Sequence, residues 1–308
     1  MKDKQKRAIF YAVLAAVFYA LNAPASKILL KDFPPAYMAG FLYLGAGLGM
    51  SILGVIERRI KKCKERNSVT KSELPYVTAM IMLDVAAPIL LMAGLSDTTA
   101  ETVSLLNNFE IVATALIAGW IFREKIAGRL WVAIVMVTAA SIVLSVDGSG
   151  QMKFTKGAIM VLLACICWGF ENNCTRKLSV KNPLEIVVIK GLGSGTGSLL
   201  IAMISGEHMT QWELLPWALL LGFTAYGLSI FFYVYAQRWL GAAKTSAYYA
   251  ISPFIGVALS WMVFREKPTA GFIAAIILMA LGTYFASTEE KGFYFLKKVN
   301  RISKVQAK

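Results

Sequence analysis

Uncharged, largely apolar runs of about 20 residues recur along almost the whole chain of 308 residues. A helix needs about 20 such residues to cross a bilayer core that is roughly 30 Å thick. Apolar residues make up 57% of the chain and charged residues only 16%, against about 25% charged residues in a soluble protein. This pattern excludes a soluble enzyme, a disordered protein and a secreted disulfide scaffold. It indicates an integral membrane protein.

The runs predict an all-α fold with ten transmembrane helices. We place the ten spans at residues 8–30, 35–56, 75–95, 101–122, 128–146, 157–174, 184–204, 215–235, 242–264 and 268–287. The connecting loops are mostly short and leave no room for a separate soluble domain. Basic residues precede the first run, as in a signal peptide, but this run is longer than the usual apolar region of such a peptide. We therefore expect it to be the first span.

Lysine and arginine residues fall mainly on one side of the predicted membrane. If the N-terminus is cytoplasmic, 25 of the 32 basic residues lie in cytoplasmic segments and 6 lie in outer segments. The positive-inside rule then predicts that both termini are cytoplasmic. The net charge of +14 therefore indicates membrane orientation and contact with anionic lipid headgroups rather than binding to nucleic acid. The basic tail 292–308 fits either a short amphipathic helix on the inner leaflet or a frayed end.

The chain contains an internal repeat. The segment FREK at 122–125 recurs at 264–267, an offset of 142, and LPY at 74–76 matches LPW at 215–217, an offset of 141. Pro35 and the glycines that follow it match Pro183 and its glycines at an offset of 148. The repeat divides the chain into two five-span halves, 1–148 and 149–288, followed by a basic cytoplasmic tail, 289–308. Because five is odd, the halves enter the membrane in opposite directions.

Inverted repeats of this kind are typical of proteins that open alternately to the two sides of a membrane around a site near the midplane. The glycines of each half include small-residue spacings such as Gly45/Gly49 and Gly193/Gly197. Such spacings allow two helices to approach closely. The same stripes would also suit a surface on which helices slide during transport.

Two stretches resemble the fourth-span and ninth-span signatures of the EamA branch of the drug/metabolite transporter superfamily. They are AGLSDTTAETVSLLNNFEIVATALIAGWIFREK at 93–125 and YVYAQRWLGAAKTSAYYAISPFIGVALSWMVFRE at 233–266. Glu124 and Glu266 match the closing acidic position and Pro253 the mid-span proline, whereas Ile111 replaces a proline that is common in the family. The resemblance covers nearly all of residues 8–287. It implies ten helices around a central cavity and the export or import of small metabolites.

Ionisable side chains within spans are costly and so are candidates for function. Glu110 lies in the middle of the fourth span, and the helical spacing places Asn107 and Thr114 on its face. Asp84 lies in the middle of the third span, four residues before Pro88. We expect these acids to bind solute or exchange protons; the alternative is that hydrogen bonds to other helices satisfy them. Lys190 is the only deep cation, and it either pairs with an acid or reaches to a surface.

Polar and aromatic residues on the remaining spans complete the predicted site. Trp168, Glu171 and Asn172 share one face of the sixth span, and Tyr19 and Asn22 lie at the matching place in the first. We predict that the substrate-binding or proton-coupling residues are Glu110, Asn107, Asp84, Trp168, Glu171, Asn22, Tyr19, Tyr248 and Ser252. Because the acids outnumber Lys190, the site favours neutral, zwitterionic or cationic solutes.

The sequence predicts no catalytic residue, metal site or cofactor. His208 is the only histidine, the four cysteines lack the spacing of a tetrahedral metal site, and no Walker loop, GxSxG or HExxH motif occurs. We therefore expect a secondary transporter of the cytoplasmic membrane that exports amino acids, amines or drug-like cations, as a monomer or homodimer. The alternatives are an intramembrane enzyme acting on a lipid or polyprenyl substrate, and a membrane scaffold or receptor.

Overall fold

The computed structural model describes residues 2–61, 69–121, 128–145, 155–178, 181–240, 248–265 and 268–287, and these contain helices and turns but no strands. Eight helical segments in these ranges are long and apolar enough to cross a membrane, and two shorter apolar helices occupy the ninth and tenth predicted spans. The all-α membrane fold is thus confirmed, while the count of ten spans stays a prediction. The basic tail 289–308 and the FREK segment at 122–125 lie outside the described residues.

The first half contains seven helical pieces. They are α1 Lys2–Ala20, α2 Asn22–Leu29, α3 Pro35–Lys61, α4 Leu74–Asp97, α5 Ala100–Leu106, α6 Phe109–Trp120 and α7 Gly128–Ser145. Pro75 lies in the first turn of α4, where proline costs no helical hydrogen bond. Thr99 caps α5, because its hydroxyl accepts a bond from the Thr102 amide at 3.2 Å.

The second half repeats this order. Its helices are α8 Lys156–Leu178, α9 Pro183–Ile204, α10 Leu215–Gly222, α11 Ser229–Leu240, α12 Ser252–Phe264 and α13 Ala270–Ser287. A π-helical segment, Phe223–Leu228, joins α10 to α11. Asn182 caps α9 through a bond from the Leu184 amide to its Oδ1 atom at 3.2 Å.

The fourth span is broken rather than continuous. Asn107 and Asn108 form a turn between α5 and α6, although residues 101–122 were expected to form one helix. Asparagine side chains compete with the backbone for hydrogen bonds, which favours such a break. A corresponding turn at Ala250 and Ile251 precedes α12, 143 positions later and so within one residue of the FREK offset of 142. The break therefore follows the repeat.

Glycines bring the two halves together at α3 and α9. A Cβ atom added at Gly191 would lie 2.4 Å from the backbone nitrogen of Gly47, so the two backbones are in direct contact. At the neighbouring interface, a Cβ atom added at Gly222 would lie 2.0 Å from the Leu42 carbonyl oxygen. The glycine stripes thus serve as packing surfaces in this conformation. They hold α9 close to α3 and α4, which positions the polar groups described next.

Candidate functional site

Three charged side chains from three helices meet inside the bundle. The Nζ atom of Lys190 on α9 lies 3.1 Å from Oδ2 of Asp84 on α4 and 3.1 Å from Oε1 of Glu171 on α8. Asp84 is fully buried, Glu171 is 1% exposed and Lys190 is 8% exposed. We call Asp84, Glu171 and Lys190 the ionic cluster. When all three are ionised, it carries one net negative charge.

Neutral hydroxyls support the two acids of the ionic cluster. The Tyr43 hydroxyl donates to Oδ1 of Asp84 at 3.0 Å, and the Thr175 hydroxyl donates to Oε1 of Glu171. Pro88 has no N–H group for the backbone carbonyl of Asp84, four residues earlier, which leaves that carbonyl without its usual helical partner. Of the two alternatives for Lys190, the structure shows pairing, and the pairing is with two acids.

Glu110 has its own amide partner on α8. The Nδ2 atom of Asn172 donates to Oε1 of Glu110 at 2.6 Å and to the Thr114 hydroxyl at 3.3 Å. Glu110 also lies in the first turn of α6, where the helix dipole favours a negative charge. Asn107 lies one turn before Glu110, whose amide donates to the Asn107 carbonyl oxygen at 3.2 Å, and the Asn107 side chain lines the small cavity described below.

Four tyrosine rings, two from each half, pack together beside these acids. Tyr43 and Tyr226 have ring centroids 5.0 Å apart, and Tyr19 contacts Tyr226 at 6.0 Å and Tyr249 at 5.9 Å. The Nδ2 atom of Asn22 donates to the Tyr226 hydroxyl at 3.1 Å. We call Tyr19, Tyr43, Tyr226 and Tyr249 the tyrosine cluster.

Two predicted site residues occupy other places. Tyr248 lies outside the tyrosine cluster and is 39% exposed, whereas the next residue, Tyr249, packs against Tyr19. The turn at Ala250 and Ile251 follows both tyrosines, so their position before Pro253 does not distinguish them. Trp168 is buried in the same apolar core as Tyr43 and Tyr226.

A small cavity lies beside the tyrosine cluster. Its lining includes four predicted site residues, Tyr19, Asn22, Asn107 and Ser252, together with Ser104 and Gly256. Its volume is about 10 Å³, which is enough for roughly one water molecule. The Oδ1 atom of Asn107 is buried there without a hydrogen-bond partner among the described residues. In this conformation the polar lining has closed together.

Polar contacts also hold the helices together toward the two faces of the membrane. The Lys27 ammonium donates to three carbonyl oxygens at the end of α4, those of Leu95, Ser96 and Thr98, at 2.6–3.0 Å. At the start of α4, Lys181 lies 3.2 Å from Glu73. The first contact ties the first span to α4 and the second ties the α8–α9 connection to α4. Among the described residues, α4 is therefore held against neighbouring segments at both of its ends.

The repeat relates the acidic residues to neutral ones. Tyr226 follows Asp84 by 142 positions, one more than the offset of LPY and LPW in the same spans, and Ser252 follows Glu110 by 142. Glu171 follows Asn22 by 149, one more than the offset of Pro35 and Pro183. We call Asp84, Glu110 and Glu171 the acidic half-site, and Tyr226, Ser252 and Asn22 the neutral half-site. Ser26 donates to Oδ1 of Asn22 at 3.1 Å, just as Thr175 donates to Glu171 at the matching place. The two half-sites thus share this hydrogen bond and differ in charge.

Neither Tyr43 nor Tyr249 stands out as a site residue in the sequence. Tyr43 lies next to the glycines of α3, which predict a surface for packing or sliding of helices. Tyr248 and Tyr249 are neighbours, and no periodicity separates them. The repeat provides one indication for Tyr249, because the offset of 142 makes Tyr249 the equivalent of the predicted site residue Asn107.

Comparison with known proteins fits this two-half architecture. The model of the EamA-like transporter family matches residues 6–146 and residues 155–288, once in each half. The chain belongs to the EamA-like transporter family. It is 26% identical over 270 residues to a protein named "Uncharacterized transporter" from Methanothermobacter thermautotrophicus, covering 82% of this chain and 78% of that protein. It is 24% identical over 299 residues to the inner membrane transporter YedA of Escherichia coli K12, covering 92% and 94%.

A solved crystal structure of a protein has the same fold. It superposes with a TM-score of 0.66 at 14% sequence identity, and the match covers 91% of this chain and 96% of the other. Together with the apolar helices, the family match identifies this chain as a multi-pass membrane protein and a transporter. The alternative of an intramembrane enzyme receives no support from these relatives.

Proposed function

We propose that this protein is a secondary transporter that exports small organic solutes carrying a cationic group across the cytoplasmic membrane by alternating access. The observation that carries the proposal is the charge in the bundle, where two carboxylates pair with Lys190 and a third, that of Glu110, accepts a hydrogen bond from Asn172. Buried charges in membrane proteins mark solute and ion pathways because they are costly to keep. An anionic solute would meet a repulsive field there. A cationic or zwitterionic solute would be attracted.

The two half-sites have complementary roles in this proposal. Asp84, Glu110 and Glu171 attract the cationic group, and the rings of Tyr19 and Tyr43 add cation–π attraction. The neutral half-site, with Asn107 beside it, offers hydrogen bonds to the uncharged polar part of the solute. Trp168 packs in the same buried core as Tyr43 and Tyr226 and restricts the rotation of their rings. Opening on one side separates the closed lining and makes room for the solute.

A solute screen tests the proposed function. Purified protein in liposomes should catalyse counterflow of L-lysine or choline, and the solute should be recovered chemically unchanged. Glucose 6-phosphate should show at least tenfold less counterflow, because its phosphate is negatively charged and is repelled by the carboxylates of the acidic half-site. Empty liposomes provide the control. Rapid counterflow of the sugar phosphate would contradict the charge argument, and a chemically altered solute would instead support the enzyme alternative.

We also propose that both termini and the loop at 57–73 face the cytoplasm, because these segments contain most of the basic residues. A single cysteine placed at position 65, in a variant without native cysteines, should not react with an impermeant maleimide added to intact cells. It should react once the cells are opened. The matched control is a cysteine at position 208, which should react in intact cells. Labelling of position 65 from outside would reverse the orientation.

A further inference from the structure

The ionic cluster already contains the chemical group that the proposed function requires. The side chain of Lys190 ends in a primary ammonium, and this ammonium lies 3.1 Å from one oxygen of Asp84 and 3.1 Å from one oxygen of Glu171. The two acids come from different helices, α4 and α8. A cation between them therefore joins these helices in this conformation.

Counting charges shows why the empty protein needs this cation. With Lys190, the closed and empty cluster has a net charge of −1, and a bound monovalent cation would bring it to zero. Without Lys190, the empty cluster would hold two buried carboxylates and a charge of −2, while the loaded cluster would have −1. Burying an unpaired charge is strongly unfavourable. Glu110 adds the same charge to every one of these states, so it does not alter the comparison.

The neutral half-site has no such requirement. The repeat relates Asn22 to Glu171 and Tyr226 to Asp84. Asn22 donates directly to the Tyr226 hydroxyl at 3.1 Å, whereas Lys190 lies between the two acids. The contact between Asn22 and Tyr226 is able to form or break without any change in buried charge. A cation is therefore required when the contacts of the acidic half-site form, and it is not required when those of the neutral half-site form.

We propose that Lys190 is an internal substitute for the transported cation, which allows the transporter to close and return when it is empty. This inference rests on the proposed function and assigns a role to a residue within the same site. When the solute is bound, its cationic group takes over one of the two carboxylates and Lys190 keeps the other. When the solute has left, Lys190 bridges both acids again. No proton has to replace the solute during the return.

The variant Lys190→Met separates exchange from net transport. During exchange, the binding site changes the side to which it opens only while solute is bound. The ionic cluster of the loaded variant then has a net charge of −1, the same as that of the empty wild type. We expect counterflow of L-lysine or choline, whichever the wild type carries, to fall, because Lys190 also pairs with a carboxylate in the loaded form. Net efflux into solute-free buffer requires the empty return. Net efflux should therefore fall more than exchange does. The ratio of exchange to net efflux should rise at least tenfold.

Two control variants identify the cause. Lys190→Arg keeps the positive charge and should keep the wild-type ratio. Tyr226→Phe removes the hydroxyl of the neutral half-site, and it should change exchange and net efflux by the same factor. A Lys190→Met protein in which exchange and net efflux fall equally would overturn the inference while leaving the proposed function intact. A wild type that carries neither cation would instead remove the proposed function.

A measurement on the wild type tests the inference without any variant. Net efflux of the transported cation should leave the internal pH of weakly buffered liposomes unchanged, as read by trapped pyranine, with valinomycin and potassium present to compensate charge. The reason is that the empty carrier returns with Lys190 rather than with a proton. Movement of one proton inward for each solute that leaves would overturn the inference.

Discussion

Replacing Glu110 by glutamine should lower solute flux at least tenfold, which corresponds to about 1.4 kcal/mol of lost stabilisation. The reason is that Glu110→Gln removes a negative charge from the acidic half-site and keeps the shape of the side chain. Its amide oxygen still accepts the hydrogen bond from Asn172, which is 2.6 Å long in the wild type. Expression and thermal unfolding in detergent should change little, because an amide costs less to bury than a carboxylate. Initial rates of counterflow in liposomes give the measurement.

The matched control is Glu213→Gln, because Glu213 is an exposed acid just before α10. This variant should transport at the wild-type rate. Normal flux in Glu110→Gln would reduce Glu110 to a partner in helix packing. If the variant is not recovered as folded protein, the carboxylate of Glu110 is required for folding, and the expectation of an unchanged fold is wrong.

The architecture could be predicted from the sequence because it depends on long apolar runs and on an internal repeat, and both are visible in the sequence itself. Runs of about 20 apolar residues have few alternatives to membrane spans, and two copies of FREK reveal the repeat. The break in the fourth span was not accessible in the same way. The apolar run continues through Asn107 and Asn108, and hydropathy alone does not report where side chains replace backbone hydrogen bonds.

The individual site residues were accessible, but their groupings were not. Asp84, Glu171 and Lys190 were each identified as charges inside spans, since such residues are rare in lipid. That one lysine joins two acids depends on how α4, α8 and α9 pack, and no spacing along one helix contains this information. Tyr43 was missed for the same reason.

The repeat contained information about the site beyond the fold. Its offsets pair Asp84 with Tyr226 and Glu110 with Ser252, so the difference in charge between the halves can be read from the aligned sequence. The structure adds that both residues of each related pair lie at helix contacts inside the bundle. An inverted repeat with unequal charges gives its two closed ends different electrostatic requirements. This asymmetry is the physical basis for assigning a role to Lys190.

Gly191→Ala should lower the free energy of unfolding by about 3 kcal/mol, the upper end of the usual cost of overpacking. The new Cβ atom would lie 2.4 Å from the Gly47 nitrogen and 2.8 Å from the Tyr43 carbonyl oxygen. Both neighbours are backbone atoms, so α3 and α9 must move apart as a whole. Tyr43 and Lys190 lie on these helices beside the contact, and the ionic cluster should be disturbed as well. Unfolding of the purified protein in mixed detergent micelles gives the measurement.

The matched control comes from the same stripe. A Cβ atom at Gly193 would lie 2.7 Å from Cδ1 of Ile81, the flexible end of a side chain that is able to rotate away. Gly193→Ala should therefore cost less than about 1 kcal/mol, well below the usual 1–3 kcal/mol of overpacking. Equal stability of the two variants would show that the α3–α9 contact tolerates separation. In that case the glycines would serve the sliding of α3 against α9 during transport rather than the packing of the folded protein.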